Sequence, residues 1–202
     1  MADIKPLMGQ NLPSTMRFWY VEVESGVYAL LHAAELTQGG AVLSETNPVP
    51  VAGKTAQVSA TPTITAGAYA AGDLVGGKMS FSSAVRSAGG GGMLHTVVIT
   101  DKGKQDAVLD LVLFDSDPSS TTFTDNDPFD VADGDLTKIV GAVQVLTYTD
   151  FNDNSVAVEP AAGIVFKVAS GTTLYGALVA RTTPTYTSTS DLTVRLGILQ
   201  NE

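Results

Sequence analysis

Aspartate is the side chain most able to do chemistry in this sequence, and it is concentrated in one region. No lysine or arginine interrupts the seven aspartates of residues 115–135, which are Asp115, Asp117, Asp125, Asp127, Asp130, Asp133 and Asp135. Dense carboxylates could ligate calcium, which takes several oxygen ligands, but the spacing and terminal glutamate of an EF-hand are missing. Aspartate also starts turns through side-chain to backbone hydrogen bonds. We predict that these aspartates build turns, with calcium binding by loops 115–135 left open.

The residues of other catalytic sites are sparse. The chain has no cysteine and two histidines, His32 and His95, and no Gly-x-Ser-x-Gly elbow occurs. Glycines 89–92 precede Met93 and a strand pattern, whereas a P-loop continues as Gly-Lys-Ser/Thr into a helix. We expect loop glycines there and a packed or hydrogen-bonded His95. The sequence predicts no enzyme and no catalytic, cofactor-binding or metal-binding residue, although a carboxylate pair acting on a glycan stays an alternative.

Charge and hydropathy narrow the class of protein. The 202 residues carry a net charge of -10, with 44% hydrophobic and 16% charged residues. The apolar fraction is enough for a buried core. The acidity argues against nucleic-acid binding and a polybasic membrane anchor, both of which need lysine and arginine. The low charged fraction favours a protein that buries surface against partners.

Targeting signals are not evident in the sequence. The first residues lack a basic segment followed by an apolar one, so no signal peptide is predicted. No run of apolar residues approaches the roughly 18 that predict a membrane helix. We therefore expect the protein to be made and assembled in a cytoplasm.

The elements that must position these residues are predicted to be strands. Strand patterns separated by turn residues cover residues 78–85, 93–101, 107–115, 141–149, 163–169, 173–181 and 192–199. The nearly continuous apolar run in 107–115 predicts a central strand covered on both faces. One helical turn is expected within 129–140, with Asp135 as its N-cap. The predicted fold is all-β, an antiparallel, jelly-roll-like sandwich of residues 66–202.

Residues 1–65 differ and are predicted to be an extended N-terminal arm with one or two strands. Residues 16–24 alternate like a strand, and 26–36 suit either a strand or a short helix. Prolines break residues 48–62, which we interpret as a linker. The aromatic cluster at Phe18, Trp19 and Tyr20 suits an interface or a local core equally.

Six segments of the sequence resemble a family of small virion structural proteins of tailed bacteriophages. The likeness spans about residues 64–143 and leaves the N-terminal arm outside. It rests on the order of ITAGAYAAGDLVGG (64–77), FSSAVR (81–86), HTVVITDK (95–102), DLVLFD (110–115), TFTDN (122–126) and FDVAD (129–133). Members resemble β-sandwich cement or decoration proteins on the capsid exterior. The resemblance carries no catalytic signature, so no site residue is transferred.

The resemblance implies a capsid decoration subunit that binds and stabilises the outside of the phage head. The implied partner is the major capsid protein, and self-association as a homotrimer is expected because oligomer symmetry tends to follow the site that it fills. The location would be the virion exterior, after assembly in the host cytoplasm. The alternative is a tail-fibre or receptor-binding module that recognises a host surface glycan or protein.

Overall fold

The computed structural model describes residues 4–6, 19–24, 27–31, 37–38, 41–42 and 54–201. The chain divides into two compact units, Met1–Ala52 and Gly53–Glu202. Each unit is described by itself. Among the described residues, no helix is long and apolar enough to cross a membrane.

The first unit is built from short antiparallel strands. Strands β1 (Ile4–Pro6), β2 (Trp19–Glu24) and β3 (Val27–Leu31) form one sheet in that order. Strands β4 (Thr37–Gln38) and β5 (Ala41–Val42) pair with each other. The unit therefore has more strands than predicted, and the strand alternative for residues 26–36 is confirmed at β3. The side chains of the Phe18–Trp19–Tyr20 cluster lie outside the described part of the chain.

The second unit is a sandwich of two antiparallel sheets. Its strands are β6 (Lys54–Ala60), β7 (Met79–Phe81), β8 (Gly91–Asp101), β9 (Leu109–Phe114), β10 (Ile139–Val145), β11 (Tyr148–Asp150), β12 (Ser155–Glu159), β13 (Ile164–Lys167), β14 (Leu174–Ala180) and β15 (Leu192–Gln200). The four-stranded sheet has the order β10-β9-β14-β7. The six-stranded sheet has the order β11-β12-β8-β15-β6, and β13 pairs with β8 beyond the end of β12.

The pairing of these strands is that of a jelly roll. With β12 and β13 taken as one interrupted strand, the first strand pairs with the eighth (β6 with β15) and the second with the seventh (β7 with β14). The third pairs with the sixth (β8 with β12 and β13), and the fourth with the fifth (β9 with β10). This long antiparallel hairpin is rolled up so that β15 also meets β8, and β14 also meets β9. The all-β, jelly-roll-like prediction is confirmed.

The main core lies between the two sheets and is aliphatic. Strand β15 alternates with period two and buries Leu192, Val194, Leu196 and Ile198. Leu109, Leu111 and Leu113 of β9 enter the same core from the opposite sheet. Each such side chain contributes about 1.5–3 kcal/mol by leaving water. The alternation in the sequence therefore decides which side of each strand faces inward.

Strand β9 is buried on both of its faces, as its apolar run predicted. Its odd-numbered leucines enter the main core, whereas Val112 and Phe114 point to the other side of the four-stranded sheet. There they join a second apolar cluster with Leu74, Ala177 and Tyr175. The four-stranded sheet therefore carries a further layer on its outer side.

The linker prediction for residues 48–62 is wrong where the structure describes it. Residues 54–60 form β6, whose full length pairs with the last strand. The prolines flank this strand without interrupting it, and its serine, threonine and glutamine residues sit on a sheet edge, where polar side chains face water. The division between units falls at Ala52 and Gly53, earlier than the boundary predicted between residues 65 and 66.

Candidate functional site

Residues 115–138, here called the acidic loop, cover the outer side of the four-stranded sheet. Phe123, Phe129 and Val131 pack from this loop onto the second apolar cluster. The ring of Phe123 meets that of Phe114 edge-on, with 6.4 Å between centroids. Burial of these three side chains holds a segment of irregular backbone against the sheet, which leaves the intervening aspartates at the surface.

Asp135 is buried, and its carboxylate links the C-terminal part of the acidic loop to residues 120 and 121 of the same loop. Its Oδ2 accepts hydrogen bonds from the backbone N–H groups of Ser120 (2.9 Å) and Thr121 (2.7 Å) and from the Thr121 hydroxyl. Its Oδ1 lies 2.8 Å from the ammonium of Lys138. The hydrogen bond from Lys138, opposed by burial and assisted by Thr121, lowers the pKa of the Asp135 carboxyl.

The prediction that Asp135 caps a helical turn is wrong. The turn is a short 3-10 helix, Asp133–Lys138, which begins after Ala132 and has no side-chain cap. Asp135 lies within this helix, and its carboxylate reaches across to residues 120 and 121. The backbone N–H groups of that neighbouring turn offered the carboxylate more donors than its own helix did.

Asp125 joins the acidic loop to the segment before β7. Its Oδ1 accepts hydrogen bonds from the Tyr69 hydroxyl (2.7 Å) and the Gly76 backbone N–H, and its Oδ2 accepts one from the Thr65 hydroxyl. Asp117 pairs with Lys78, whose ammonium also lies over the ring of Phe123. Asp125 and Asp135 bond to backbone N–H groups, as expected of turn-building aspartates, but these groups lie in distant segments, so neither carboxylate starts a turn of its own.

Three aspartates of the acidic loop remain unpaired at its surface. Asp127, Asp130 and Asp133 are exposed, and their carboxylates contact no lysine or arginine of the described residues. Within residues 54–201, no three His, Cys, Asp or Glu side chains are grouped so that they could hold a metal ion. The calcium alternative for loops 115–135 therefore gains no geometric support from these residues.

A surface cavity of about 310 Å³ opens within the acidic loop. Polar groups dominate its lining, together with one aromatic ring, and they include Ser120, Thr122, Thr124, Asp127, Asp130 and Phe129. Hydroxyls and carboxylates beside an aromatic face suit a small polar ligand such as a monosaccharide.

A second buried aspartate supports the loop after β8. Asp101 accepts hydrogen bonds from the backbone N–H groups of Gly103 (2.9 Å), Gln105 (2.8 Å) and Asp106 (3.2 Å). Burial raises the pKa of its carboxyl, although these three hydrogen bonds oppose the rise. Burial and the nearby Asp101 also raise the pKa of Tyr148 and Tyr186. The described hydrogen bonds of the Asp101 carboxylate all go to this loop, so the role of Asp101 is structural.

The outer side of the six-stranded sheet carries exposed aliphatic side chains, and we call it the aliphatic face. In one cross-strand row, Leu199 of β15 lies beside Met93 of β8, which lies beside Val165 of β13. In a second cross-strand row, Arg195 of β15 lies beside Val98 of β8, and Val98 lies beside Val158 of β12. Val165 is 73% exposed, Val158 52% and Leu199 38%. This face therefore leaves apolar surface uncovered within the second unit.

Uncharged polar side chains fill most of the remaining positions of the aliphatic face, and negative charge is missing from it. Thr100, Thr193 and Val156 form another row, and Thr55, Gln57 and Ser59 of β6 extend the face to the sheet edge. No aspartate or glutamate occupies an outward position on β6, β8, β12, β13 or β15. Carboxylates are depleted in the centres of protein interfaces, so this composition is typical of a contact surface.

Two cations lie on the aliphatic face without a partner. Arg195 on β15 and Lys167 on β13 are both exposed, and neither makes an ion pair with another described residue. By contrast, Lys78, Lys104, Lys138 and Arg181 each pair with an aspartate. The positive charges of Arg195 and Lys167 are therefore directed outward from an acidic protein.

The remaining residues singled out in the sequence do not assemble into a site. His95 is exposed next to the bulge where β8 meets β15, and no described residue hydrogen-bonds to its side chain, so the expectation of a packed or hydrogen-bonded histidine is wrong. His32 lies outside the described residues. Gly89, with φ at +70°, ends a turn, whereas Gly91 and Gly92 belong to β8. A Cβ at Gly92 would lie 2.9 Å from the Leu199 carbonyl oxygen, so close backbone approach explains this glycine.

The aliphatic face was not identified from the sequence, although a signal for it exists. Val158, Val165 and Leu199 occupy the positions of their strands that alternate with buried residues. Each therefore breaks the apolar-in, polar-out pattern, but only the pairing of the strands places them on one surface. No family model, curated protein or solved structure matches this chain. The resemblance to phage virion proteins therefore stays a prediction.

Proposed function

We propose that this protein is a structural subunit of a phage virion, a decoration or cement protein that binds the outside of the head and stabilises it. The observation that carries the proposal is the aliphatic face, a carboxylate-free surface on a protein with a net charge of -10. A partner that covers Val158, Val165 and Leu199 gains free energy from apolar burial. The net negative charge of the protein repels acidic neighbours, which favours docking through this face.

The architecture is compatible with the proposal without establishing it. Jelly rolls build viral capsid domains, but they also build lectins and cupins, so the fold alone does not decide function. The proposed partners are the major capsid protein and further copies of this chain, arranged as a homotrimer, on the outside of a particle assembled in a host cytoplasm. We propose no enzymatic activity, nucleic-acid binding or membrane association.

Stabilisation of the head would follow from selective binding. A subunit that binds the closed shell, and not the open or disassembled one, shifts the equilibrium towards the closed shell. Many copies that each bind weakly add up to a large effect through multivalency. This mechanism needs shape-matched contact area and no bond made or broken, which suits a face of aliphatic and threonine side chains.

The proposal is tested by binding purified protein to phage heads that lack it. Val165→Asp places a carboxylate in the centre of the aliphatic face, and we expect at least a tenfold loss of occupancy, or about 1.4 kcal/mol. Ala161→Asp is the matched control, because Ala161 is exposed in the turn before β13 and outside the sheet. Equal occupancy of the Val165→Asp variant and the wild type would reject the aliphatic face as the docking surface.

A tail-fibre or receptor-binding module is the second candidate, and the cavity in the acidic loop favours it. Hydroxyls, carboxylates and the ring of Phe129 line that cavity, as expected of a site for a host glycan. Hundreds of copies per particle in an image would support decoration, and a few copies at one vertex would support a tail module. Loss of glycan binding in Asp130→Ala, with head occupancy unchanged, would assign the cavity to recognition.

A further inference from the structure

The two outer surfaces of the jelly roll are opposite in charge. The acidic loop covers the four-stranded sheet and presents Asp127, Asp130 and Asp133, none of which is ion-paired within the described residues. The aliphatic face covers the six-stranded sheet and presents Arg195 and Lys167, equally unpaired. The main core separates the two sheets, so the surfaces face in opposite directions.

We infer that the aliphatic face binds the acidic loop of a second copy of this chain, so that copies associate head to tail. The inference names the partner of the surface on which the proposed function rests. Arg195 and Lys167 would approach carboxylates of the neighbouring loop, and the exposed Leu136 of that loop would meet the apolar rows around Val165. Opposite charges steer the copies into this orientation, and apolar burial supplies affinity.

Two symmetric contacts are also conceivable, aliphatic face to aliphatic face and acidic loop to acidic loop. Charge repulsion disfavours both of them more than it disfavours the contact of face with loop. Two aliphatic faces packed together would bring Arg195 and Lys167 against the same cations of the partner. Two acidic loops packed together would oppose six unpaired carboxylates, three from each copy, which are Asp127, Asp130 and Asp133. Like charges held opposite each other in an interface cost several kcal/mol. Only the mixed contact pairs each charge with its opposite.

The symmetry of such a contact has a consequence for assembly. The two surfaces that meet are different, so the contact is heterologous, and copies related in this way close into a ring or continue as an open chain. The homotrimer proposed above requires closure. A closed ring covers every aliphatic face and stops growing, and it would then reach the head through another surface, whereas an open chain keeps one free aliphatic face at its end and can continue to grow.

The experiment reverses charge on each surface separately and measures self-association of the full chain by sedimentation velocity at low salt. The face variant is Arg195→Glu with Lys167→Glu, and the loop variant is Asp130→Lys with Asp133→Lys. All four side chains are exposed and make no ion pair with a described residue, so circular dichroism and melting temperature are expected to stay unchanged. Each variant alone should associate at least about tenfold more weakly than the wild type.

Mixing the two variants supplies the decisive readout. An equimolar mixture holds one wild-type face and one wild-type loop on different molecules, so association should return. A loop variant that associates as strongly as the wild type would overturn the inference, as would a wild-type protein that stays monomeric at high concentration. Head binding by such a monomer would leave the proposed function standing, because the two measurements are independent.

Discussion

At the scale of single residues, Asp135 determines how the acidic loop responds to pH. The hydrogen bond from Lys138 is the largest of the effects that lower the pKa of the Asp135 carboxyl in the folded state. The charged carboxylate therefore stabilises the fold above the unfolded-state pKa of about 4, and this stabilisation is lost as the pH falls. We expect Asp135→Asn to be less stable than the wild type at pH 7 and to lose less stability on acidification. Urea unfolding at neutral and acidic pH measures both differences.

The control for that prediction is Asp133→Asn, an exposed neighbour without a described partner, which should follow the wild type at each pH. Asp101 acts in the opposite sense, because burial raises its folded-state pKa. Its contribution is present when it is protonated and is lost as the pH rises. An identical pH response in Asp135→Asn and the wild type would contradict the assigned role of the Lys138 pair.

Asp125 is a second residue whose contribution can be separated from that of its neighbours. Asp125→Ala leaves the Tyr69 hydroxyl and the Gly76 N–H without an acceptor, and we expect it to cost about 2–3 kcal/mol of unfolding free energy. Asp125→Asn retains Oδ1, and the Thr65 hydroxyl can turn to accept from the new amide. It should therefore cost about 1 kcal/mol. Chemical denaturation of both variants gives the comparison, and equal costs would argue against the hydrogen-bond assignment.

At the scale of elements, the edge strand β6 gives the sharpest difference between sequence and structure. Val58 points inward against the main core, whereas its neighbour Gln57 points outward and is exposed. Val58→Asp should lower the unfolding free energy by about 2–3 kcal/mol, because it places a charge beside apolar side chains. Gln57→Asp should change it by less than about 0.5 kcal/mol. If residues 54–60 were a linker, substitutions at adjacent residues would not differ in this way in their effect on the unfolding free energy.

The side chains of the four-stranded sheet pack closely around Gly176 of β14. A Cβ there would lie 3.0 Å from Phe81 Cε2, with Leu111 and Leu113 close behind. We expect Gly176→Val to destabilise the protein by about 1–3 kcal/mol through overpacking. Gly77→Ala is the control, because nothing lies within 4 Å of a Cβ at that position. Thermal unfolding distinguishes them, and a stable Gly176→Val variant would mean that the neighbouring side chains can make room for the added methyl groups without loss.

At the scale of the whole molecule, the pairing of β6 with β15 places the start of the jelly roll immediately after residue 52. A chain of residues 53–202 keeps every strand of the sandwich, so we expect it to retain the melting transition of that unit. A chain of residues 61–202 lacks β6 and exposes one side of β15. Its melting temperature should fall by roughly 10 °C or more, at about 2–4 °C per kcal/mol.

Circular dichroism melts compare the two truncations, and equal melting temperatures would show that β6 is dispensable. The same pair of chains tests whether the first unit attaches the protein to the head. If it does, the 53–202 chain folds but fails to bind. Removing 60 residues instead would confuse loss of attachment with loss of folding, because β6 would be deleted as well.

Local pattern was sufficient to determine the fold class and most of the strands. The alternation of residues 192–199 and the continuous apolar run of 107–115 reflect burial on one face and on two faces, and burial is imposed on each strand by its own side chains. Aspartate side chains do bond to backbone N–H groups, as expected, but the partners of Asp125 and Asp135 lie in other segments, which local pattern could not reveal.

Tertiary pairing decided what local pattern could not. Strand β6 owes its existence to β15, which lies about 140 residues later in the chain, and a polar, proline-flanked heptapeptide contains no information about that partner. The aliphatic face and its charge opposition to the acidic loop arise only when β8, β12, β13 and β15 are set side by side. The sequence by itself determined which segments form strands and which side chains are apolar enough to enter a core, because hydrophobicity belongs to a residue. Only the folded chain determined which residues share a surface, because adjacency belongs to the pairing of distant strands.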